Sequence, residues 1–437
     1  MEFRVRWVIF SVLSATYFLV MLHRFSPAVI SLEMMREFNV GAVGLGILSS
    51  TYFYSYAILQ IPTGILADSV GPRKTVSLFT FIASAGTLMF ALAKSFEVAV
   101  FGRLLIGVGV SVVWVCTIKI VSRWFRIREF ATINGILNMV GNVGAIGAAA
   151  PLALLTICLG WRNSFLLISL LTFLLALAVW FIVRDEPTQL GLPKIVEVEE
   201  DFSREVGGKG LVKEGLKTIF SSKNFWIVGL TLLVWYGTLV NFQGLWSVPY
   251  LTQVYGYNKY EASYLVTLIP LGICVGAPLW GHLSDKVFKV RKQVYVLGYL
   301  GYTLTWIIFI FFKNLPKQFF YPTFFMFGFF TGAIIVSIAM LREFFPEHLV
   351  GTLMGCLNIF PFIGVSLLQP LTGYILDTAG PTKTIEGIKF YPPKAYHLAF
   401  TLCIFLLVTA TTLTIFSKEG EKTPKALKRK DYLKQNV

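Results

Sequence analysis

Long apolar runs follow one another along the whole chain, and short polar segments separate them. A helix that crosses the hydrocarbon core of a bilayer needs about 20 mainly apolar residues. The runs are continuous and do not alternate between polar and apolar positions, as the strands of an outer-membrane barrel would. The pattern therefore predicts twelve membrane-spanning helices. The predicted spans cover residues 7–31, 43–66, 75–95, 97–121, 130–154, 163–183, 225–250, 262–284, 293–312, 319–341, 350–376 and 396–416.

A polar stretch at 184–224 divides the twelve spans into two sets of six. It contains Pro187, Pro193 and an acidic run at 197–201, and it is interpreted as a linker with a short surface helix at 211–220. The predicted organisation is an N-terminal bundle (1–183), the linker (184–224), a C-terminal bundle (225–417) and a basic tail (418–437).

Composition agrees with this pattern and excludes a soluble protein. Of the 437 residues, 56% are hydrophobic and 14% are charged, whereas soluble domains carry about 25% charged residues. The net charge of +15 would suggest nucleic acid as a partner of a soluble protein, but here the basic residues lie between apolar runs. Of these, 26 fall on one side of the predicted membrane, nine on the other and three within spans. Because Lys and Arg concentrate on the cytoplasmic side, both termini are predicted to be cytoplasmic in a multi-pass protein of the cell membrane, surrounded by lipid.

No residue pattern indicates an enzyme, a metal site or a cofactor. The five cysteines lie in or beside apolar runs without a CxxC pair, so they are interpreted as small core residues. The Gly-x-Ser-x-Gly, HExxH and P-loop patterns are missing from the sequence. The sequence therefore shows no ATP-binding pattern.

The two sets of spans repeat one another. Gly64-Ile-Leu-Ala-Asp68 recurs as Gly281-His-Leu-Ser-Asp285, and each copy is followed by a basic loop. Because each half has an even number of spans, the repeats are parallel and related by an axis along the membrane normal. A substrate site is then expected between the halves, near mid-membrane. Further matches at an offset of 220 residues are Phe125 and Phe345, Gly135 and Gly355, Asn138 and Asn358, and Gly144 and Gly364.

Three segments resemble signatures of the major facilitator superfamily. Residues 64–74 are similar to the loop signature between helices 2 and 3, residues 281–292 to a degenerate copy of it, and residues 103–109 to the helix-4 pattern R-x-x-x-G-x-G. The resemblance covers nearly the whole chain. It implies an all-α polytopic membrane protein with twelve transmembrane helices in two pseudo-symmetric six-helix bundles, which transports its substrate by alternating access.

Within the superfamily, the sequence is most similar to the organic-anion and sugar-phosphate permeases, including the anion:cation symporters. Those proteins carry Asp-Arg late in helix 1, where this chain has His23-Arg24, and a Glu in helix 4, where this chain has Val110. The resemblance implies a small organic anion as substrate and H+ as the coupling ion. Because both acids are absent, facilitated diffusion and exchange stay open. A comparable similarity to the lysosomal dipeptide transporter branch keeps dipeptides or amino acids open as substrates.

Arg24 and Arg103 are the first candidates for substrate binding. A charged side chain inside the bilayer costs at least ~2.5–3.5 kcal/mol and therefore usually faces a polar interior. Counted from the predicted span ends, both lie roughly 10 Å below the outer surface. A guanidinium can hold a carboxylate or phosphate through two hydrogen bonds. The alternative is that each arginine satisfies helix-end carbonyls or extends to the surface.

His23 is the candidate for proton coupling, because imidazole titrates near neutral pH. The alternative is a buried neutral histidine that donates a hydrogen bond. Lys119, near the inner end of span 4, either extends to the cytoplasm or assists substrate release.

Aromatic and amide side chains in the spans would complete a site, since a polar ligand or water can satisfy buried amides. The set considered is Tyr17, Tyr52, Tyr56, Gln60, Trp114, Trp235, Tyr236, Asn241, Gln243, Asn358 and Gln369. Of these, the predicted substrate-binding residues are Tyr17, Tyr52, Tyr56, Trp114, Trp235, Asn241, Gln243 and Asn358. For a single aromatic residue the alternative is helix packing. The glycines of 135–147 are expected to permit close helix contact.

Asp68 and Arg73 are predicted gate residues at the cytoplasmic end of span 2. Asp68 could pair with Arg123 or cap the positive N-terminus of span 11. Asp285 with Arg342 would be the counterpart in the second half. The alternative is simple anchoring of the protein by its basic loops.

We therefore expect a monomeric secondary transporter that binds a small anion between its halves. A non-transporting membrane sensor is the alternative from another class, and such a protein would usually carry a folded soluble output domain.

Overall fold

The computed structural model describes residues 2–193, 209–311, 316–346 and 349–418. Two predicted features lie outside those residues: the acidic run Glu197–Asp201 and the tail from 419 onward. The described chain is almost entirely helical, and eleven of its helices are long and apolar enough to cross a membrane. This confirms the prediction of an all-α polytopic membrane protein.

Eight α-helices precede the linker and form what we call the first half. α1 and α2 together form span 1, and α5 and α6 form span 4. The helices are α1 (Glu2–Phe25), α2 (Pro27–Phe38), α3 (Ala42–Ser69), α4 (Pro72–Leu92), α5 (Phe96–Val110), α6 (Val113–Trp124), α7 (Ile127–Gly147) and α8 (Ala150–Ile182).

Span 1 is interrupted at Ser26, between α1 and α2. Pro27 has no N–H group and a fixed φ, so it cannot continue the hydrogen bonds of α1 but fits the first position of α2. The helical path then continues to Phe38, beyond the predicted end at residue 31.

Spans 5 and 6 meet at Gly160, inside α8. Its φ of +79° is a backbone conformation that glycine adopts readily and other residues rarely do. α7 and residues 150–159 therefore form span 5, and residues 161–182 form span 6. α7 is not among the eleven apolar helices, and it carries Asn134, Asn138 and Asn142.

The second half begins after α9, a helix at the place where the sequence predicts a surface helix for 211–220. Two π-helical turns occur within the second half. Phe242–Trp246 joins α10 to α11 in span 7, and Leu283–Phe288 extends α12. The helices are α9 (Lys209–Ser221), α10 (Lys223–Asn241), α11 (Ser247–Tyr255), α12 (Lys259–His282), α13 (Arg291–Phe311), α14 (Lys317–Thr331), α15 (Ile334–Arg342), α16 (Val350–Leu357), α17 (Ile359–Ala379) and α18 (Pro393–Ile415).

A small β-hairpin departs from the all-helical expectation. Strands β1 (Lys383–Ile385) and β2 (Ile388–Phe390) pair antiparallel between α17 and α18, with Lys383 opposite Phe390. The hairpin packs against α2, so a loop of the second half reaches the first half.

Glycines allow close contacts between spans, as the sequence predicts for residues 135–147. A Cβ atom on Gly144 would lie 2.3 Å from the Phe18 carbonyl oxygen, so α7 and α1 touch through their backbones. The same closeness joins α3 to α17, where a Cβ on Gly46 would lie 2.5 Å from the Gln369 carbonyl oxygen. This second contact crosses between the halves.

The side of the bundle where α1 begins and α18 ends is called the termini end below, and the opposite side the distal end. Several of the largest apolar side chains, such as Phe181 and Phe405, are exposed. An apolar surface of this kind is what a bilayer would cover.

Candidate functional site

Arg24 lies where the two halves meet. Its side chain is 4% exposed, and its Nη1 donates a hydrogen bond to the Tyr236 hydroxyl of α10 at 3.0 Å. The guanidinium carbon lies 5.1 Å from the ring centre of Tyr56 on α3 and 5.3 Å from that of Phe362 on α17. Ring faces attract a cation without neutralising it. Arg24 is thus a buried positive charge whose neighbours come from both halves.

Arg103 lies close to Arg24, as the predicted depths require, but it serves a different contact. Its Nη1 donates to the His23 carbonyl oxygen at 3.0 Å. That carbonyl would normally accept a helix hydrogen bond from the residue four positions on, which is Pro27 and has no N–H. Arg103 therefore helps to satisfy a helix-end carbonyl, which also accepts from the Ser26 hydroxyl at 3.1 Å. This agrees with the alternative interpretation of Arg103. Its Nε and Nη2 have no hydrogen-bond partner in the described part of the chain.

Two tyrosines of α3 lie under the two arginines. Tyr52 lies one turn before Tyr56, and their rings stack 6.1 Å apart. The Arg103 guanidinium lies 5.1 Å from the Tyr52 ring centre, and the Tyr52 hydroxyl donates to the Val20 carbonyl at 3.4 Å. One helix thus orients both guanidiniums.

Tyr17 and Trp114 contact each other near this group, with ring centres 4.9 Å apart. Tyr17 also packs on Gly141, where a Cβ would lie 2.4 Å from its ring. The structure therefore brings six predicted residues of the first half into one neighbourhood. They are Tyr17, Arg24, Tyr52, Tyr56, Arg103 and Trp114.

His23 is completely buried beside this group. Its Nε2 lies 3.4 Å from the Thr172 hydroxyl, and Nδ1 has no partner among the described residues. Since the Thr172 hydroxyl donates its own proton to the Ile168 carbonyl at 2.7 Å, its oxygen is left to accept from Nε2–H. The arrangement matches the alternative of a neutral histidine that donates one hydrogen bond.

The predicted residues of the second half divide into separate places. Trp235 is fully buried against Tyr299 and Tyr302 of α13, with ring centres 3.9 and 5.7 Å away, so it packs inside that half. Asn358 donates through Nδ2 to Gln60 Oε1 at 2.7 Å and thereby joins α3 to the start of α17.

Asn241 and Gln243 lie at the π turn of span 7. The Asn241 side-chain oxygen accepts from the Thr372 hydroxyl at 2.9 Å, whereas Gln243 Oε1 has no partner in the described residues. Both side chains are buried, at 0% and 2% exposure.

Two residues that contact Arg24 are not among the predicted substrate-binding residues. Tyr236 belongs to the set of polar span residues, but the predicted binding residue at this place is the adjacent Trp235. Phe362 is an apolar residue in an apolar span and carries no signal of its own. The position of Asn358, one helical turn earlier on the same span, was the nearest available indication.

The predicted gate residues of the first half pair differently from the expectation. Asp68 forms an ion pair with Lys119, which also donates to the Ala67 carbonyl at 2.7 Å, so the partner is Lys119 rather than Arg123. The reason is geometric, because Lys119 extends toward the termini end and reaches the last turn of α3. Arg123 makes no ion pair with any residue in the described ranges.

Arg73 holds the end of span 6. Its Nε and Nη2 donate to the Trp180 carbonyl at 3.0 and 2.7 Å, and its backbone N–H donates to Asp185 Oδ1 at 2.6 Å. The loop between α3 and α4 is therefore fastened to the beginning of the linker.

In the second half, Asp285 lies 3.4 Å from Arg291 rather than beside Arg342, which is exposed. The Arg291 Nε also lies 2.8 Å from Glu343 Oε1. Arg291 is nearer because the π turn Leu283–Phe288 ends just before α13 begins with this residue. These ion pairs at the termini end each stay within one half.

At the distal end, charged contacts cross between the halves. Asp377, near the end of α17, accepts the backbone N–H groups of Ala42 and Val43 at 3.0 and 2.8 Å. It therefore caps the positive N-terminus of α3. The Tyr391 hydroxyl donates to the same carboxylate and accepts from Ala42 N–H at 2.9 Å. Burial and the neighbouring Asp377 raise the pKa of Tyr391 well above its usual value.

A second distal contact is the ion pair between Glu33 of α2 and Lys259 of α12. Its side chains are 22% and 18% exposed, so it is partly shielded from solvent. No sequence pattern indicates this pair or the Asp377 cap, since each joins residues more than 200 positions apart.

Where a described span contains a carboxylate, that residue lies near an end of the span. Within the eleven apolar helices the carboxylates are Glu97, Glu261, Asp285 and Asp377, each within four residues of an end. Among the described residues there is also no group of His, Cys, Asp or Glu that could hold a metal ion. The middle of the bundle therefore has buried cations without a buried carboxylate.

The fold and this site define a polytopic helical membrane protein with a cationic centre between two related sets of helices. The chain belongs to the Major Facilitator Superfamily, whose sequence model matches residues 13–260 and again residues 241–435. The two matches agree with the internal repeat.

Three curated relatives illustrate the range of similar proteins. The probable sulfoacetate transporter SauU of Cupriavidus necator is 24% identical over 65% of this chain, and the chain spans 66% of its length, just under two thirds. The probable galactarate/D-glucarate transporter GarP of Escherichia coli K12 is 26% identical over 79% of this chain and 82% of its own. The membrane sensor protein UhpC of the same organism is 23% identical over 79% and 80%.

A solved structure supports the fold. The crystal structure of a bacterial homologue of the human lysosomal transporter Spinster, in an inward-facing and unoccupied conformation, matches with a TM-score of 0.76. The match covers 94% of this chain and 97% of the other at 17% sequence identity, and it shows the fold alone.

Proposed function

We propose that this protein is a secondary transporter that moves a small organic anion across the cell membrane by alternating access. The anion would bind to Arg24, with Arg103, Tyr17, Tyr52 and Tyr56 around it. Two relatives named as transporters of sulfoacetate and of galactarate or D-glucarate support an anionic substrate.

The observation that carries this proposal is the position of Arg24 between the halves. The residue belongs to α1, yet its hydrogen bond to Tyr236 and its contact with Phe362 are made with α10 and α17. An anion that binds this guanidinium would change the contacts on both sides at once. Differential binding of this kind is what a ligand needs in order to drive rocking of two domains.

The proposed architecture keeps the predicted domains and topology. Two six-helix bundles, 1–183 and 225–417, would move about a linker at 184–224, with the tail from 418 onward and both termini in the cytoplasm. The termini end would then face the cytoplasm, and the protein would act as a monomer in lipid.

Transport assays on reconstituted vesicles test this function. We expect saturable uptake of an organic anion by the wild type and a large loss of affinity in Arg24→Ala, because the guanidinium supplies the charge-assisted hydrogen bonds. Arg24→Lys, which keeps the charge but loses the planar pair of donors, should fall between them. Full anion affinity in Arg24→Ala would refute the site, and no flux of any organic anion would refute the function.

For the driving force we propose H+ coupling through His23, the candidate titratable group within the spans. The alternatives are exchange and facilitated diffusion, which the confinement of carboxylates to span ends favours. A pH gradient imposed across the vesicles decides between them: it should drive uptake in the wild type and fail in His23→Gln. A wild type that responds only to anion on the opposite side is an exchanger.

Two further alternatives have their own tests. Dipeptides or amino acids could present a carboxylate to Arg24, so competition of a dipeptide with the organic anion would redirect the substrate assignment. The similarity to a membrane sensor protein favours sensing as a second function. Ligand binding without flux in vesicles would support it.

A further inference from the structure

An apolar groove runs along the outer surface of the first half. It has a volume of about 740 Å³ and lies between α1, α7 and the span-6 part of α8. Both α7 and α8 pack on α1, and small side chains of α1 keep the space between them open. Residues that line the groove include Ser11, Ser14 and Ala15 of α1, Val140 of α7 and Ala178 of α8.

Equivalent glycine contacts show which residues of spans 1 and 7 correspond in the internal repeat. A Cβ on Gly144 would lie 2.3 Å from the Phe18 carbonyl oxygen, and a Cβ on its counterpart Gly364 would lie 2.0 Å from the Leu233 carbonyl oxygen. Phe18 and Leu233 are 215 positions apart in the sequence. At this offset, the positions of span 7 that correspond to the two serines of the groove are Trp226 and Gly229.

The second half fills the equivalent space with aromatic rings. Val140 corresponds to Phe360 at the offset of 220 residues that relates spans 5 and 11. The Phe360 ring lies 5.9 Å from the Trp226 ring between centres, and a Cβ on Gly229 would lie 2.8 Å from it. The first half has Val140 and Ser11 at the positions of these two rings, so a groove is left there.

The groove opens toward the bilayer. Its lining residues Leu171 and Leu174 are exposed, as is Trp226 at the equivalent place of the second half. From Phe10 to Leu19 the groove follows span 1 for about 14 Å, close to half of the ~30 Å hydrocarbon core. Its direction and length therefore fit one acyl chain of the leaflet at the termini end.

The lining itself needs no polar ligand. The Ser14 hydroxyl is buried and has no partner in the described part of the chain. A serine hydroxyl within a helix can turn to the carbonyl four residues earlier, which here belongs to Phe10. The groove is thus suited to a hydrocarbon chain along its length.

A basic residue lies beyond the end of the groove that is nearest the termini end. Arg4 is exposed and precedes Ser11 by seven positions on α1. Residues seven apart lie on the same face of a helix, two turns from each other. A basic side chain at the membrane surface attracts anionic headgroups, so Arg4 is placed to contact the headgroup of a lipid whose chain enters the groove.

We propose that the groove binds one acyl chain of an anionic phospholipid, with the headgroup at Arg4. Lipid tails are as apolar as the helix surface, so the hydrophobic effect does not favour the groove over the bilayer. The preference comes from dispersion contacts that an open space would forfeit and from the charge at Arg4. None of these residues belongs to the proposed anion site, so the test does not depend on transport.

Native mass spectrometry of the purified full-length protein in detergent tests the site. Dioleoylphosphatidylglycerol is the anionic probe, and dioleoylphosphatidylcholine, with the same chains, is its counterpart without net charge. Val140→Phe copies the ring of the second half into the groove. Val143→Phe is the matched control, at an exposed position on the same helix that does not line the groove. If Val140→Phe does not fold, Ser11→Trp, which copies Trp226, carries the same test.

We expect the wild type to bind one phosphatidylglycerol roughly fivefold more tightly than phosphatidylcholine, the effect of one basic residue on an anionic headgroup. Val140→Phe should weaken this first binding step about tenfold, because the ring occupies the place of the chain. Val143→Phe should change it less than about twofold. Arg4→Gln should abolish the preference for the anionic lipid. Lys223→Gln, at an exposed position at the start of α10, should leave that preference unchanged.

Three outcomes would overturn the proposal. Wild-type affinity in Val140→Phe would mean that no chain occupies the groove. Equal weakening in Val140→Phe and Val143→Phe would assign the lipid to the general surface of α7. Equal binding of the two phospholipids by the wild type would mean that the headgroup does not contact Arg4.

Discussion

The two ends of the bundle are held together in different ways. At the distal end, Asp377 of the second half caps α3 of the first, and Lys259 pairs with Glu33 across the same boundary. At the termini end, the ion pairs of Asp68 and Asp285 stay within their own halves. A neutral hydrogen bond between Asn358 and Gln60 also crosses the boundary, at the start of α17.

This difference indicates which side can open. Charged contacts that cross the boundary must break before the distal end separates, whereas those at the termini end can persist while it separates. The structure thus corresponds to a state with a closed distal end. With the proposed topology, the closed end is the one that faces away from the cytoplasm.

The comparison also changes the role expected for a carboxylate at a helix end. From the sequence, Asp68 was the candidate for capping the N-terminus of span 11. The structure instead places Asp377, at the end of span 11, on the N-terminus of span 2. In both cases a carboxylate of one half caps a helix of the other. The observed cap lies at the distal end rather than the termini end, and span 11 supplies the carboxylate to span 2.

The largest effect is expected from removal of the Asp377 cap. Asp377→Ala loses two hydrogen bonds to helix N–H groups and the favourable charge at the helix terminus, about 2 kcal/mol together. The distal-closed population should fall roughly 30-fold relative to the open one. Double electron–electron resonance between spin labels at Lys94 and Tyr260, both exposed and in different halves, measures this shift in a background without the five native cysteines.

Asp377→Asn is the control for that variant, since its amide oxygen can still accept the N–H bonds, and it should shift the population less. An unchanged label distance in Asp377→Ala would mean that the cap does not hold the distal end.

Tyr391→Phe should have the next largest effect. It removes the hydroxyl that donates to Asp377 and accepts from Ala42 N–H, at a cost of about 1 kcal/mol, or roughly fivefold in the same population ratio. Because the pKa of Tyr391 is raised, its contribution is present below the usual tyrosine pKa and is lost only as the pH rises above it. The wild-type distance distribution should therefore be constant between about pH 6 and 9. A shift within that range would assign the contact to another titrating group.

Neutralising the distal ion pair should have a smaller effect. Glu33→Gln weakens a partly exposed pair with Lys259, which contributes up to about 1 kcal/mol, a few-fold change in population. Glu37→Gln is a closely matched control, because Glu37 of the same helix pairs with Arg162 at 2.7 Å within the first half. If the two variants shift the label distance equally, an ion pair between the halves has no greater effect on distal closure than one within a half.

Hydropathy predicted the membrane-spanning helices because a bilayer imposes a length and an apolar surface on each of them. Arg24 and Arg103 were found for the same reason, as charges in apolar runs. Their separate roles depend on partners: Tyr236 and Phe362 lie far along the chain, and no periodicity indicates such contacts. The role of Arg103 did have a local signal, since Pro27 four residues after His23 leaves one carbonyl of α1 without its helix donor. The turn between spans 5 and 6 at Gly160 depends on a positive φ, and a backbone angle cannot be read from the sequence.

The smallest effect is expected at the termini end, and it is the sharpest check of the comparison. Asp68→Asn breaks the ion pair with Lys119, but the Asp68 side chain is 78% exposed and the pair lies within one half. An exposed pair contributes little, so the ratio of distal-closed to distal-open populations should change less than about twofold. Asp285→Asn, which weakens the corresponding pair of the second half, should behave alike. If Asp68→Asn instead moves the equilibrium as far as Asp377→Ala, the termini end carries the principal lock, and the contacts within one half control the transition through the shape of that half.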